Sequence, residues 1–225
     1  GSGAASGLTS GVRNTAIGYN ALTVIGSGVG SVAIGSNALQ ASTRYDNIAV
    51  GTSGLAANTT GSGNIAIGTS AMAANTFGIT NTAVGMNALS ANTTGTSNTA
   101  IGWNAATGNT VGTGNVAIGV YSLASNVGSD GHIAIGHRAL SGMTSGNYNV
   151  AIGYLAMSGA STGNSNIAIG VQTLAINAGG FANVKFPAIV VVELLLPKAI
   201  FPPLSCMLTF PVVKPLLINQ SAVDP

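Results

Sequence analysis

Asn81-Thr82-Ala83-Val84-Gly85-Met86-Asn87-Ala88-Leu89-Ser90-Ala91-Asn92-Thr93-Thr94-Gly95-Thr96-Ser97 recurs with small changes from Asn14 to about residue 180. A fixed spacing decides an architecture before any single residue does. The marker is Ala-Ile/Val-Gly, with its glycine at Gly18, Gly35, Gly51, Gly68, Gly85, Gly102, Gly119, Gly136, Gly153 and Gly170. The interval is seventeen residues throughout, apart from one of sixteen, which makes ten units.

Stacked on this period, the columns are strict. A short polar residue opens each unit, Asn in eight cases with Ser31 and His132 as the exceptions. A β-branched residue follows, then alanine in every unit, then Ile or Val, then the glycine. Four residues later stands Leu22, Leu39, Leu55, Met72, Leu89, Ala106, Leu123, Leu140, Met157 or Leu174. Bulky residues at positions two and four, with Ala and Gly between, form a period-two pattern that suits a short strand. The Gly and Asn-Thr-Thr-Gly content argues against helix. Each unit therefore reads as a strand, a tight turn, a second short strand through Ala-Leu, and a turn built on Asn, Thr and Gly. One unit cannot bury its apolar face alone, whereas stacked units align the Ile, Val and Leu columns into a continuous core. The expectation is an all-β parallel solenoid of ten coils, on the order of 45 to 50 Å long at strand spacing.

Composition narrows the function classes. Only 4% of the 225 residues are Asp, Glu, Lys or Arg, so solubility falls to Asn, Ser and Thr. A net charge of +2 spread this thinly makes no basic stripe, and no nucleic-acid partner is expected. Cys206 is the single cysteine, so no intrachain disulfide framework is available. The chain begins Gly1-Ser2-Gly3, without Met, and reads as an internal piece.

Along the chain, residues 1–13 are Gly/Ser/Ala-rich and read as a flexible or irregular lead-in, or a degenerate first coil. Residues 14–182 are the array. Its shortened unit, Ser31 to Asp46, replaces the usual turn with Gln40-Ala41-Ser42-Thr43-Arg44-Tyr45-Asp46. Asn183-Val184 falls where an eleventh unit would open, but Lys185, Phe186 and Pro187 break the pattern. Residues 183–225 form an apolar, Pro-rich tail with three open readings: a cap or partner-binding segment, a membrane anchor, or the product of a translational frame error. Glu193, Lys198 and the prolines count against an anchor, and the repeat array itself is not expected to insert in a membrane.

The unit Asn-Thr-Ala-Ile/Val-Gly-x-Asn-Ala-Leu-x-x-Asn-Thr-Thr-Gly, seen at Asn14 to Leu22, Asn81 to Gly95 and Asn98 to Ala105, resembles the head repeats of trimeric autotransporter adhesins of the YadA type. It resembles more closely the seventeen-residue repeats of bacterial and phage-like tail-fibre-domain proteins. The likeness covers about three quarters of the chain. It implies a left-handed parallel β-roll with three chains per fibre, outside the cell or on a virion. The columns themselves bear on association as well. With the Ile/Val column turned inward, the Ala and Gly opposite leave a flat face that another chain can approach, the alternative being that Ala and Gly merely fit a narrow coil.

The variable column after each glycine contains everything from Ser36 to Trp103, which places it in a solvent-facing turn. Tyr19, Trp103, His137 and Tyr154 are its candidate surface contacts, for a sugar ring or a receptor protein, against simple turn packing. His132 occupies the Asn column and no further ligand stands at a matching column, so neither metal nor cofactor is expected. The opening Asn column reads as a structural ladder. Asn58-Thr59, Asn75-Thr76, Asn92-Thr93 and Asn109-Thr110 make a second one, whose regular Thr hydroxyls an ice-binding surface would also need. No catalytic constellation is legible. The sequence thus points to an extracellular structural and adhesive fibre segment, a homotrimer that contacts a host glycan or protein. The alternative is a monomeric solenoid binding polysaccharide or ice.

Overall fold

The computed structural model describes residues 1–24, 28–159, 162–175 and 180–186. The tail readings, and Cys206 with them, lie beyond residue 186 and outside the described residues.

A three-residue strand opens every unit: β1 (Thr15–Ile17), β2 (Val32–Ile34), β3 (Ile48–Val50), β4 (Ile65–Ile67), β5 (Thr82–Val84), β6 (Thr99–Ile101), β7 (Val116–Ile118), β8 (Ile133–Ile135), β9 (Val150–Ile152) and, after the short β10 (Gly163–Asn164), β11 (Ile167–Ile169). Two further pairs of residues follow, β12 (Gly180–Phe181) and β13 (Val184–Lys185). Each main strand pairs in parallel with its counterpart one coil on, as in Thr82↔Thr99, Ala83↔Ala100 and Val84↔Ile101. One eleven-stranded sheet results, while β10 and β12 form a small sheet of their own. The molecule is a parallel β-solenoid of about ten turns with seventeen-residue spacing, and the described residues include no helix.

Two expectations are corrected. The Ala-Leu segment is not a second strand. Leu89 has φ +50° and its equivalents in all ten units lie between +47° and +56°, the left-handed region that extended strands do not use. Asn87, two residues earlier, also sits there at +57°. This alternation of hand turns the chain through the side of the coil in five residues. Inter-coil bonding nonetheless continues through the turn, with the Leu89 N–H donating to the Ala105 carbonyl at 3.0 Å. A left-handed leucine costs about 1 kcal/mol. Its side chain is completely buried in return, a gain of about 2 kcal/mol, so burial wins at this column.

The second correction concerns which face is inside. Successive residues of a strand point to opposite sides, and here it is the alanine column, Ala33 through Ala168, that is fully buried. The flanking β-branched residues point outward. Ile17, Ile34, Ile67, Ile101 and Ile133 all count among the exposed large hydrophobics. Seventeen residues enclose a narrow interior. Leu or Met from the turn side fills it, which leaves room for a methyl group on the strand side. Ala and Gly therefore fit the coil rather than form a docking face.

The array absorbs its irregularities in the turns. In the sixteen-residue unit, Thr43 N–H still bonds the Thr59 carbonyl, and Val32↔Ile48 keeps the sheet in register. Residues 1–13 are no loose lead-in. Ala5 N–H donates to the Ala21 carbonyl at 2.9 Å and Ala5 takes the left-handed turn of the leucine column, so this segment is the end of a preceding coil. At the other end Val184 pairs with Ile167 and Lys185 with Ala168, so the stack continues one strand past the last complete unit.

Candidate functional site

The expected asparagine ladder is present and buried. Asn81 Nδ2 donates to the Gly95 carbonyl at 2.8 Å and to Asn64 Oδ1 at 3.2 Å. Its own Oδ1 accepts the Asn98 backbone N–H at 2.9 Å. A second buried ladder runs through Asn58, Asn75, Asn92, Asn109 and Asn126, each amide reaching back one coil. The Thr hydroxyls beside it point into the array: Thr59, Thr76 and Thr93 each donate to the carbonyl of the next Thr at 3.1 Å. Each hydroxyl proton is thereby committed within the array, and only the oxygen lone pairs stay free to accept a bond from water.

His132 interrupts the first ladder. Its Nδ1 stands in for the amide oxygen and accepts the Asn149 backbone N–H at 3.2 Å. Nε2, where the other units place an amide donor, is buried without a hydrogen-bond partner of good geometry. Burial pushes the imidazole down from 6.5 to about 4, only partly offset by the Gly146 carbonyl and Asp130. The folded state thus favours the neutral ring, whereas the unfolded chain takes up its proton near 6.5. Stability should hold above that pH and fall by about 3 kcal/mol as the pH drops to about 4. His132→Asn restores the ladder amide, and is expected to gain about 1 kcal/mol at neutral pH and to lose most of the acid slope. Urea midpoints of both proteins between neutral and acid pH check this, and parallel slopes would refute it.

The four surface candidates occupy the turn after the glycine. Tyr19 is 58% exposed, Tyr154 50% and Trp103 44%, and His137 is also exposed. Tyr19 stands alone in the first unit, five units before Trp103. The other three belong to one strip across units six to nine. His137 and Tyr154 stack with centroids 5.5 Å apart and planes 13° from parallel. Trp103 meets Tyr121 at 5.1 Å, tilted by 58°. The Arg138 guanidinium lies 5.7 Å from the Tyr121 ring centre.

Tyr121 and Arg138 were not among the sequence candidates, because they belong to the next column, where the chain turns left-handed. Units one to six place Asn20, Asn37, Ser53, Ser70, Asn87 and Asn104 there, small polar residues that tolerate that conformation. Tyr121 and Arg138 hold φ of +55° and +56° with long side chains, at a cost of about 1 kcal/mol each. Arg138 is exposed, so no core gain offsets its strain, whereas Tyr121 is half-buried against Trp103. The legible signal was this departure from the column.

Among the described residues there is no cluster of three or more His, Cys, Asp or Glu that fits a metal ion. No helix among them is long and apolar enough to cross a membrane. No protein-family model, curated protein or solved structure matches the chain, so the solenoid and its aromatic strip are read from their own residues.

Proposed function

We propose that the chain is a structural and adhesive segment of an extracellular fibre, of the cell-surface or virion tail-fibre kind, in which three copies associate along their sheets. The observation carrying this reading is the outer face of the eleven-stranded sheet. Two columns of Thr, Val and Ile line it, with Ile17 57% exposed and Ile67 and Ile101 about 40%. The strip is on the order of 45 Å long and 7 Å wide, roughly 300 Å², the size of the largest apolar patch on an ordinary monomer, which is often a functional one.

A flat face parallel to the coil axis can close by rotation about a parallel axis outside the coil, giving a ring of parallel rods. Three copies is the number that the resemblance to adhesin heads and tail-fibre repeats supports. The role is mechanical: each coil is bonded to the next through its strand and its turns, which suits holding a contact surface at a distance. The exposed aromatic strip is the surface so presented, to a host glycan or protein.

Sedimentation equilibrium tests the assembly. The expected mass is three times the 21.9 kDa of one chain. Ile67→Lys with Ile101→Lys should reduce it to a single chain while the β-sheet circular dichroism stays, because both side chains already reach solvent. A single-chain mass for the unsubstituted protein would overturn the assembly, and a two-chain mass would replace the ring by a face-to-face pair.

A further inference from the structure

We propose that the strip of Trp103, Tyr121, His137, Arg138 and Tyr154 binds an oligosaccharide bearing carboxylates. This deepens the adhesive reading by naming a ligand class, and it does not depend on how many chains associate.

Three observations converge. The rings lie in successive coils, so aromatic surface repeats at about 4.8 Å along the array and extends about 14 Å from unit six to unit nine. That repeat is close to the length of one pyranose, whose apolar C–H face packs on an aromatic ring while its hydroxyls stay in water. Arg138 is exposed, held against Tyr121, and has no ion pair among the described residues. Its planar fork suits two-point binding of a carboxylate. Asp130 is the single acid of units six to nine, and its carboxylate is engaged by the Thr113 backbone N–H at 2.7 Å.

The third observation is the strain. Tyr121 and Arg138 hold left-handed positions where Asn or Ser serves units one to six, as Leu155 and Gln172 do in units nine and ten; Tyr121 is half-buried between Trp103 and Arg138, whereas Arg138 stays exposed. At Arg138 no burial offsets the strain, which points to a contact outside the chain. A nucleic acid fits less well, because one arginine offers little against a row of phosphates.

Titration calorimetry on the full chain is the test. The acidic probes are trigalacturonate and sialyllactose, and their neutral counterparts are methyl-esterified trigalacturonate and lactose. At least one acidic probe is expected to saturate, with its counterpart ~10-fold weaker, the equivalent of one charge-assisted pair. Arg138→Asn should abolish that preference. Trp103→Ala should weaken the acidic and neutral sugars alike, by ~10-fold. Arg138→Asn and Tyr121→Asn install the residue of the earlier units, so both should melt no lower than the parent. Absence of saturation by either acidic probe, equal binding of acidic and neutral sugars, or affinities unchanged in the variants would overturn the proposal. So would tighter binding of an oligothymidylate. A lower melting temperature for the two Asn variants would also overturn it, by making Tyr121 and Arg138 structural.

Discussion

Gly85→Ala is expected to lose about 4 kcal/mol or more and to unfold the array around its fifth unit. Gly85 has φ +135°, where a side chain is strained whatever the space. A methyl group placed there would also stand 2.5 Å from the Gly102 carbonyl oxygen of the next coil. That oxygen is backbone fixed by the stack, so it cannot swing away. The matched control is Gly114→Ala. Gly114 is left-handed at +69°, in a column that also holds Thr80, Ser97 and Tyr148, and nothing lies within 4 Å of the position its methyl would take. It should cost only about 1 kcal/mol. Because each coil contacts only its neighbours, a central break divides the array into two shorter stacks. Hydrogen exchange in Gly85→Ala should therefore show lost protection centred on Thr82–Ile101, with the outer coils retained longest. Equal destabilisation by the two substitutions would mean that the glycine column is not set by coil-to-coil approach.

The fate of the individual columns shows what the one-dimensional pattern carries. Periodicity alone located every main strand, because register in a parallel stack is the repeat itself: Thr82↔Thr99 is both an alignment of units and a pair of bonded residues. The asparagine ladder was legible for the same reason. What failed was polarity. A column of Ala between columns of Ile and Val reads as a small outer face on a greasy core, since large apolar residues usually go inside. In a coil this narrow, volume overrides hydrophobicity, and the alanine is buried while Ile101 stays 40% exposed. The leucine column failed differently, because a left-handed leucine violates local preference and only its burial explains it. In the strip at units six to nine, Trp103, His137 and Tyr154 were visible as unusual residues in a variable column. Tyr121 and Arg138 needed the conformation of their column, which no residue name carries.

The Asn81 series is the second large effect. Asn81→Leu keeps the branched shape and removes every polar contact of the side chain. The Asn98 N–H then loses its acceptor inside the coil, a buried orphan that costs about 1 to 3 kcal/mol. The amide bonds to Asn64 Oδ1 and the Gly95 carbonyl add about 1 kcal/mol each, the latter cushioned because Asn92 Nδ2 also donates to Gly95 at 3.1 Å. The expected total is about 4 kcal/mol at any pH. Asn81→His should lie between, for a reason the chain itself supplies. At His132 a neutral imidazole takes the same slot, with Nδ1 accepting the following backbone N–H while Nε2 goes unpaired. Installed at position 81, the ring should therefore rescue part of the loss at neutral pH and forfeit it on acidification, since a protonated Nδ1 opposes the Asn98 N–H instead of accepting it. Urea unfolding should rank the proteins parent, Asn81→His, Asn81→Leu at neutral pH, with histidine falling to the leucine level or below near pH 4. If leucine matched the parent, the ladder would be a passive filler and the stack would be held by its backbone alone.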